Sequence, residues 1–259
     1  MATDGPAPVV IDTGDIERPR QGLADALRSI GSATVSSELY KLGVRNPHIV
    51  GPAARTPGTS VAGPALTLQC MPLREDLYQF DEYADPEQQL HRHVLYHAQP
   101  GDMVVVDARG SMTSGIFGEM MVTYFKGRGG AGIVVDGCIR DSAAAVKVGV
   151  GIWTRGVTPN FHVQTDIFPY AVNVPVACGG TMVVPGDIVV ADDDGAVVVP
   201  ISLAEKIIEV AGEHAEWEKF SRQRLAEGGD LRVYYPLSAQ AREEYEAWLA
   251  QGGAERSAP

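Results

Sequence analysis

The chain has 259 residues, enough for one large domain or two small ones and for a sizeable core. Hydrophobic residues make up 45% and charged residues 21%, the balance of an ordinary globular protein. The net charge of −12, without a basic stripe, argues against a nucleic-acid partner, and no run of 18 apolar residues argues for a membrane span. Cys70, Cys138 and Cys178 are far apart and form no CxxC pair, so reduced and mostly buried thiols are expected. The leading MATDGPAPVVIDTGD lacks the basic and apolar regions of a signal peptide, so a cytoplasmic location is expected.

Residues 1–20 and 252–259 read as loose ends, with a single α/β domain over 21–251. The first helix is LADALRSIG, and Thr34 is placed as the N-cap of a second, TVSSELYKLG. SVAGPALTLQC (60–70) reads as a strand, and its Gly-Pro step suggests an edge or a bulge. A long loop leads to a helix in EQQLHRHVLYHAQ that Pro100-Gly101 ends. DMVVVDA (102–108) is a buried strand, Thr113 to Phe125 a helix, IVVDG a second buried strand and SAAAVKVG a short helix before GIWTRG. The second half is richer in strands, with hairpin turns expected at the Pro-Gly of TMVVPGDIVV and the acidic tip of DIVVADDDGAVVVP. A long amphipathic helix from Pro200 to about Arg224 and a final helix, SAQAREEYEAWLAQ, complete the chain.

In GAGIVVDGCIRDSAAA (130–145) an apolar strand ends in two opposite charges, Arg140 and Asp141. Such a strand end can present side chains at the carboxyl edge of a sheet, where α/β folds bind ligands. The alternative is that Asp141 caps the next helix while Arg140 makes a surface ion pair. Upstream, Gly118-Glu119-Met120-Met121 lies at or near a helix start, whose free N–H groups suit a carboxylate. His91, His93 and His97 suggest a metal cluster, but HVLYH lacks the glutamate of HExxH, and solvated or partly buried histidines are expected. KGRGGAG follows a helix instead of preceding one and reads as a helix stop; Asp192-Asp193-Asp194-Gly195 reads as a hairpin tip.

The run from Gly118 to Arg155, with ATVSSELYKLG, PGDMVVVDARG and PGDIVVADDDGAVVVP, resembles the class II, metal-dependent pyruvate aldolases. That family includes 4-hydroxy-4-methyl-2-oxoglutarate aldolase and the regulator of ribonuclease E activity A (RraA). The resemblance covers most of residues 25–220. It implies a compact α/β fold like the swivelling phosphohistidine domain (a β/β/α fold, RraA-like), with C-terminal helices and assembly as trimers or hexamers. It further implies a lyase acting on a 2-keto acid: retro-aldol cleavage, oxaloacetate decarboxylation, or both. By this resemblance the Met120 and Met121 amides, behind Gly118, hold the pyruvoyl carboxylate, and Glu119 orients a metal-bound water. Arg140 contacts the keto or enolate oxygen, and Asp141 ligates Mg²⁺ or Mn²⁺. An acidic residue from a neighbouring subunit is implied too; Glu216 matches best by spacing, with Glu213 and Glu218 as rivals. The chain departs from the family where a second acidic residue usually follows the aspartate by three positions; here it is Ala144. The alternatives are a non-catalytic binding protein of the ribonuclease E inhibitor type and a dehydratase or other lyase on a sugar-derived keto acid. The segment EDLYQFDEYADPEQQLHRH reads as an insertion.

Overall fold

The structure, a computed structural model, describes residues 11–75, 87, 89–161 and 166–253. The segment expected as an insertion lies largely outside these residues. By internal contacts the chain divides into two units, residues 1–205 and 206–259.

The first unit is built on strands that are apolar on both faces, as VVVDA and IVVDG require. Parallel β3 (Val61–Pro72), β4 (Met103–Gly115), β5 (Gly132–Ile139) and β6 (Gly151–Val157) lie side by side in chain order. Crossovers run through α3 (Leu90–Tyr96), α4 (Glu119–Gly127) and α5 (Ser142–Ala145). Because side chains alternate along a strand, Val104, Val106, Ile133 and Val135 pack with Val94, Val122 and Phe125 of these helices. Met103, Val105, Val134 and Trp153 face the other way, towards Val183, Val189 and Val198. Each such side chain, fully withdrawn from water, contributes roughly 1.5–3 kcal/mol.

The second layer comes from the β-rich half. β8 (Val176–Cys178) pairs with β9 (Thr181–Val183), and β10 (Ile188–Asp192) forms a hairpin with β11 (Gly195–Val199). The acidic tip expected there is present. The other expected hairpin is not: Thr181–Val183 pairs backwards with β8, while β10 pairs with β3.

Three further expectations change, the first only in part. Most of β3 is interior, between β4 and β7 (Ile167–Val172), while its Gly63-Pro64 step pairs with β10 alone, and the register shift lies further on, between Gln69 and Cys70. A side chain at Gly63 would collide with the Gly101 carbonyl, so glycine permits a close backbone approach here. Thr113 to Phe125 is not one helix: β4 runs on to Gly115, and α4 starts only at Glu119. Finally, α1 (Leu23–Ile30) is followed directly by α2 (Ser32–Lys41), so Thr34 lies inside the helix. The cap comes from Asp192, whose carboxylate accepts from Ser32 N at 2.8 Å and Ser32 Oγ at 2.6 Å.

Residues 11–20, read from the sequence as part of a flexible end, run along the sheet. β1 (Ile11–Asp12) pairs with β7, and the Arg18 guanidinium donates to the fully buried Asp102 carboxylate at 2.7 and 3.0 Å. β2 (Ala53–Ala54) closes the opposite edge on β6.

The second unit is helical. α6 (Ala204–Ala226), which crosses the division, is followed by α7 (Leu231–Tyr234) and α8 (Ala239–Ala250), capped by Asp230 and Ser238. Its core is Phe220, Leu237 and Ala241, with the Tyr245 and Trp248 rings each 5.7 Å from that of Phe220. Among the described residues no helix is long and apolar enough to cross a membrane.

Candidate functional site

Parallel strands deliver their carboxyl ends to one edge, and β4, β5 and β6 are stitched together there. Ile116 N donates to Cys138 O (3.0 Å), Arg140 N to Phe117 O (2.9 Å) and Thr158 N to Ile139 O (3.0 Å). These bonds hold the segment before α4 against the Arg140-Asp141 step. Gly118, the residue preceding α4, is buried between them. A β-carbon placed on it would stand 2.6 Å from Asp141 Oδ2 and 3.0 Å from Arg140 Nε. The sequence-predicted Gly118, Arg140 and Asp141 therefore meet at one point.

Asp141 answers the question the sequence left open. Its backbone is left-handed (φ 53°, ψ 32°), a conformation aspartate tolerates better than most residues but at a cost of roughly 1 kcal/mol. Its carbonyl accepts from Ala144 N and Ala145 N, so the backbone opens α5. The carboxylate makes no capping bond. It lies half exposed, 3.7 Å from Arg140 Nε, too far for a hydrogen bond. The two form an open ion pair without a hydrogen bond, so among the described residues both keep hydrogen-bonding capacity for a ligand.

Glu119 and Met120 occupy the first two positions of α4, where N–H groups have no intrahelical acceptor. Met120 is 73% exposed. The Met121 N–H instead turns back on the Gly118 carbonyl at 3.1 Å, and the Glu119 carboxylate accepts from Thr123 Oγ1 at 3.1 Å on its own helix. Glu216 sits on α6 in the second unit, paired with Lys219 at 2.6 Å, while Glu218 accompanies His214 at 3.1 Å. The Glu213 side chain lies outside the description.

The other sequence candidates have structural employment. Asp12 joins His93 Nδ1 (3.2 Å) and His97 Nε2 (3.0 Å), and His91 is buried. Among the described residues no group of three or more His, Cys, Asp or Glu is placed to hold a metal. Asp192 caps α2, and Asp193 accepts from Gly58 N at 2.8 Å.

Asp107 and Asp136, the acidic ends of VVVDA and IVVDG, are not among the residues the sequence pattern singles out. The register Val106↔Val135 makes them neighbours on β4 and β5. Asp136 pairs with Arg155 of β6 and accepts from Gly179 N at 3.0 Å. Burial first, opposed by the Arg109 N–H and reinforced by the Asp136 charge, pushes the Asp107 carboxyl up from its ordinary value. The repeated Val-Val-Asp ending was the available signal.

Residues 23–198 match the family described as RraA-like, Aldolase/RraA. A Halalkalibacterium halodurans protein provisionally named 4-hydroxy-4-methyl-2-oxoglutarate aldolase is 40% identical over 117 residues, 45% of this chain and 55% of that protein. An uncharacterised protein of Methanocaldococcus jannaschii is 32% identical over 127 residues, 49% of this chain and 60% of that one. The chain thus spans little more than half the length of these curated relatives. Among solved structures, Streptomyces coelicolor RraAS2, titled an unusual member of the RNase ES inhibitor RraA family, superposes with a TM-score of 0.74. It is 49% identical, over 80% of this chain and all of that one. An uncharacterised Pseudomonas syringae pv. tomato protein shares the fold at TM-score 0.73 and 24% identity, over 89% and 97% of the two chains.

Proposed function

The chain belongs to the RraA-like, Aldolase/RraA family, and on that premise we propose that it is a divalent-metal-dependent lyase acting on a 2-keto acid through a pyruvate-type enolate. The observation that carries this reading is the convergence of the Arg140 guanidinium and the uncommitted Asp141 carboxylate on the glycine before α4.

One carboxylate is a sparse donor set. It fits Mg²⁺, or Mn²⁺ in a similar shell, because Mg²⁺ keeps several waters and needs only one or two carboxylates besides substrate oxygens. Asp141 is the residue that would hold the ion, which when bound supplies Lewis-acid polarisation of the 2-keto oxygen. Arg140 donates to that same oxygen as negative charge grows on it, where a preformed cation contributes more than it would in water. The orphan N–H groups at the start of α4, that of Met120 foremost, hold the substrate carboxylate, with Met121 joining if its bond to Gly118 is shared. Glu119, one residue from Gly118, holds the proton exchanged at the methyl or methylene carbon. A neighbouring copy in a trimer or hexamer would contribute Glu216.

Enolisation is testable without knowing the whole substrate. Solvent deuterium enters the pyruvate methyl group, followed by proton NMR, when Mg²⁺ or Mn²⁺ is added and stops with a chelator. Wild-type protein that exchanges nothing with either ion would end this proposal.

A second reading is favoured by the 49% identity to RraAS2 across that protein's whole length: a regulator that binds and inhibits a ribonuclease of the E/S type. Stoichiometric inhibition of such an enzyme, undiminished by Asp141→Ala, would support it.

A further inference from the structure

The glycine-rich run KGRGGAG ends α4, and it also forms one bank of a groove of about 600 Å³. Residues 55–61, which follow β2, and residues 146–151, which lead into β6, supply the other banks. Because β3, β5 and β6 all begin here, the groove lies at the amino edge of the sheet, opposite Arg140 and Asp141. The eight residues of β5 hold the two places roughly 25 Å apart.

Two cations line this groove in a chain of net charge −12, and among the described residues no Asp or Glu does. Arg55 donates from Nε to Thr154 Oγ1 (3.1 Å) and from Nη2 to the Arg155 carbonyl (3.0 Å). These bonds fix the guanidinium and leave Nη1 uncommitted among the described residues. Lys126 Nζ donates to the Gly149 carbonyl at 2.8 Å, which uses one of its three protons. Thr56 Oγ1 accepts from Ile152 N at 3.0 Å and keeps its own proton to donate. Thr59 adds a second hydroxyl to the lining.

Helix carboxyl ends ordinarily make such an edge unfavourable to anions. Here the last carbonyls of α4 accept from the Arg128, Gly129 and Gly130 N–H groups, and those of α5 from Val146, Lys147 and Val148. Asp193, which reaches this rim, accepts from Gly58 N at 2.8 Å. What remains is two positioned cations and two hydroxyls, a donor set suited to a group with three acceptor oxygens. Pro57, Val61 and Val146 give an apolar wall beside them.

We propose that this groove is a second binding site, for a small phosphate monoester. Arg55 and Lys126 take the phosphate oxygens together with the two threonine hydroxyls, and the carbon body lies on Pro57, Val61 and Val146. A dianion gains more from two cations than a monocarboxylate does. The apolar wall favours the ester over free phosphate. No bond is made or broken in this groove.

The test is calorimetric titration of the full chain without added metal, at low ionic strength, where such contacts are least screened. The probes are n-butyl phosphate, inorganic phosphate and butyrate. Butyl phosphate is expected to saturate one site per chain and to bind at least about tenfold tighter than inorganic phosphate, the scale of burying about two methylenes. Butyrate should bind more weakly than butyl phosphate. Lys126→Glu and, as a second variant on another bank, Val146→Glu should each weaken butyl phosphate by about tenfold or more. Arg140→Ala and Asp141→Ala should leave its affinity unchanged. Absence of saturable binding overturns the proposal, as does equal or tighter binding of inorganic phosphate or butyrate, or an affinity that neither glutamate variant lowers. Binding lost in Arg140→Ala but kept in both glutamate variants overturns it as well and moves the anion to the Gly118 site.

Discussion

The carboxylate of Asp141 lies 3.7 Å from Nε of Arg140, and the backbone between these adjacent residues enters a left-handed turn that aims both side chains at Gly118. An ordinary cap would have kept Asp141 on its own helix. Instead its backbone starts α5 while its side chain is free for other chemistry. Arg140→Ala and Asp141→Ala are each expected to slow pyruvate exchange by about 10²- to 10³-fold, the usual loss on removing a preorganised charge. Arg140→Lys should recover only part, since an ammonium lacks the planar fork. The thermal midpoint should stay close to wild type for Arg140→Ala, whose side chain is about half exposed, and fall modestly for Asp141→Ala, because alanine tolerates the left-handed backbone less well than aspartate.

Gly118→Ala separates space from backbone freedom. The φ of −108° is open to any L residue, so the methyl group strains nothing locally. It does occupy the point 2.6 Å from Asp141 Oδ2 and 3.0 Å from Arg140 Nε. Exchange should fall about as far as in Asp141→Ala, with little change in denaturation midpoint.

Arg18→Ala should be costly for stability and not for chemistry. Among the described residues it leaves the fully buried Asp102 carboxylate with only the Gln99 N–H at 2.8 Å. A buried charge stripped of its partner costs about 3 kcal/mol, measurable by urea denaturation at pH 7.

The contribution of Asp12 should depend on pH. Burial pushes its carboxyl up, but the Gly14 N–H and the His93 and His97 rings together hold it below the ordinary aspartate value. A lowered folded value means stabilisation that is present above the unfolded value of 3.8 and lost as pH falls through the folded one. Asp12→Asn should therefore lower stability by about 1 kcal/mol at pH 7. The gap from wild type should close as the solution is taken below pH 3.8, followed by denaturation at each pH.

Cys70, Cys138 and Cys178 are buried, and desolvation raises the pKa of each thiol. A thiol reagent at pH 8 should label none of them until denaturant is added, when all three should react.

The parallel core was legible because Val-Val-Val-Asp and Ile-Val-Val-Asp leave no polar face for water. The site was legible because Arg140 and Asp141 break an apolar run at its carboxyl end. What escaped was decided by partners distant in the chain. Thr34 has the right side chain for a cap, yet Asp192 takes the role from a hairpin 160 positions later. Gly63-Pro64 does sit where β3 pairs on one side only, with β10, but a sequence window cannot reveal that the rest of the same strand runs between β4 and β7. Residues 113–125 carry helical spacing, but Gly115 and Gly118 serve close approaches to Asn160, Arg140 and Asp141, and the glycines end the strand before a helix begins.

The bond from Ser32 to Asp192 also bears on how the chain matures on the ribosome. The start of α2 leaves the exit tunnel early, but the residue that satisfies it is made 160 residues afterwards. At ordinary elongation speeds that interval is on the order of ten seconds. Throughout it the nascent α1–α2 segment must survive with an uncapped helix start, so the moment residue 192 emerges is when this end of the protein can first lock shut.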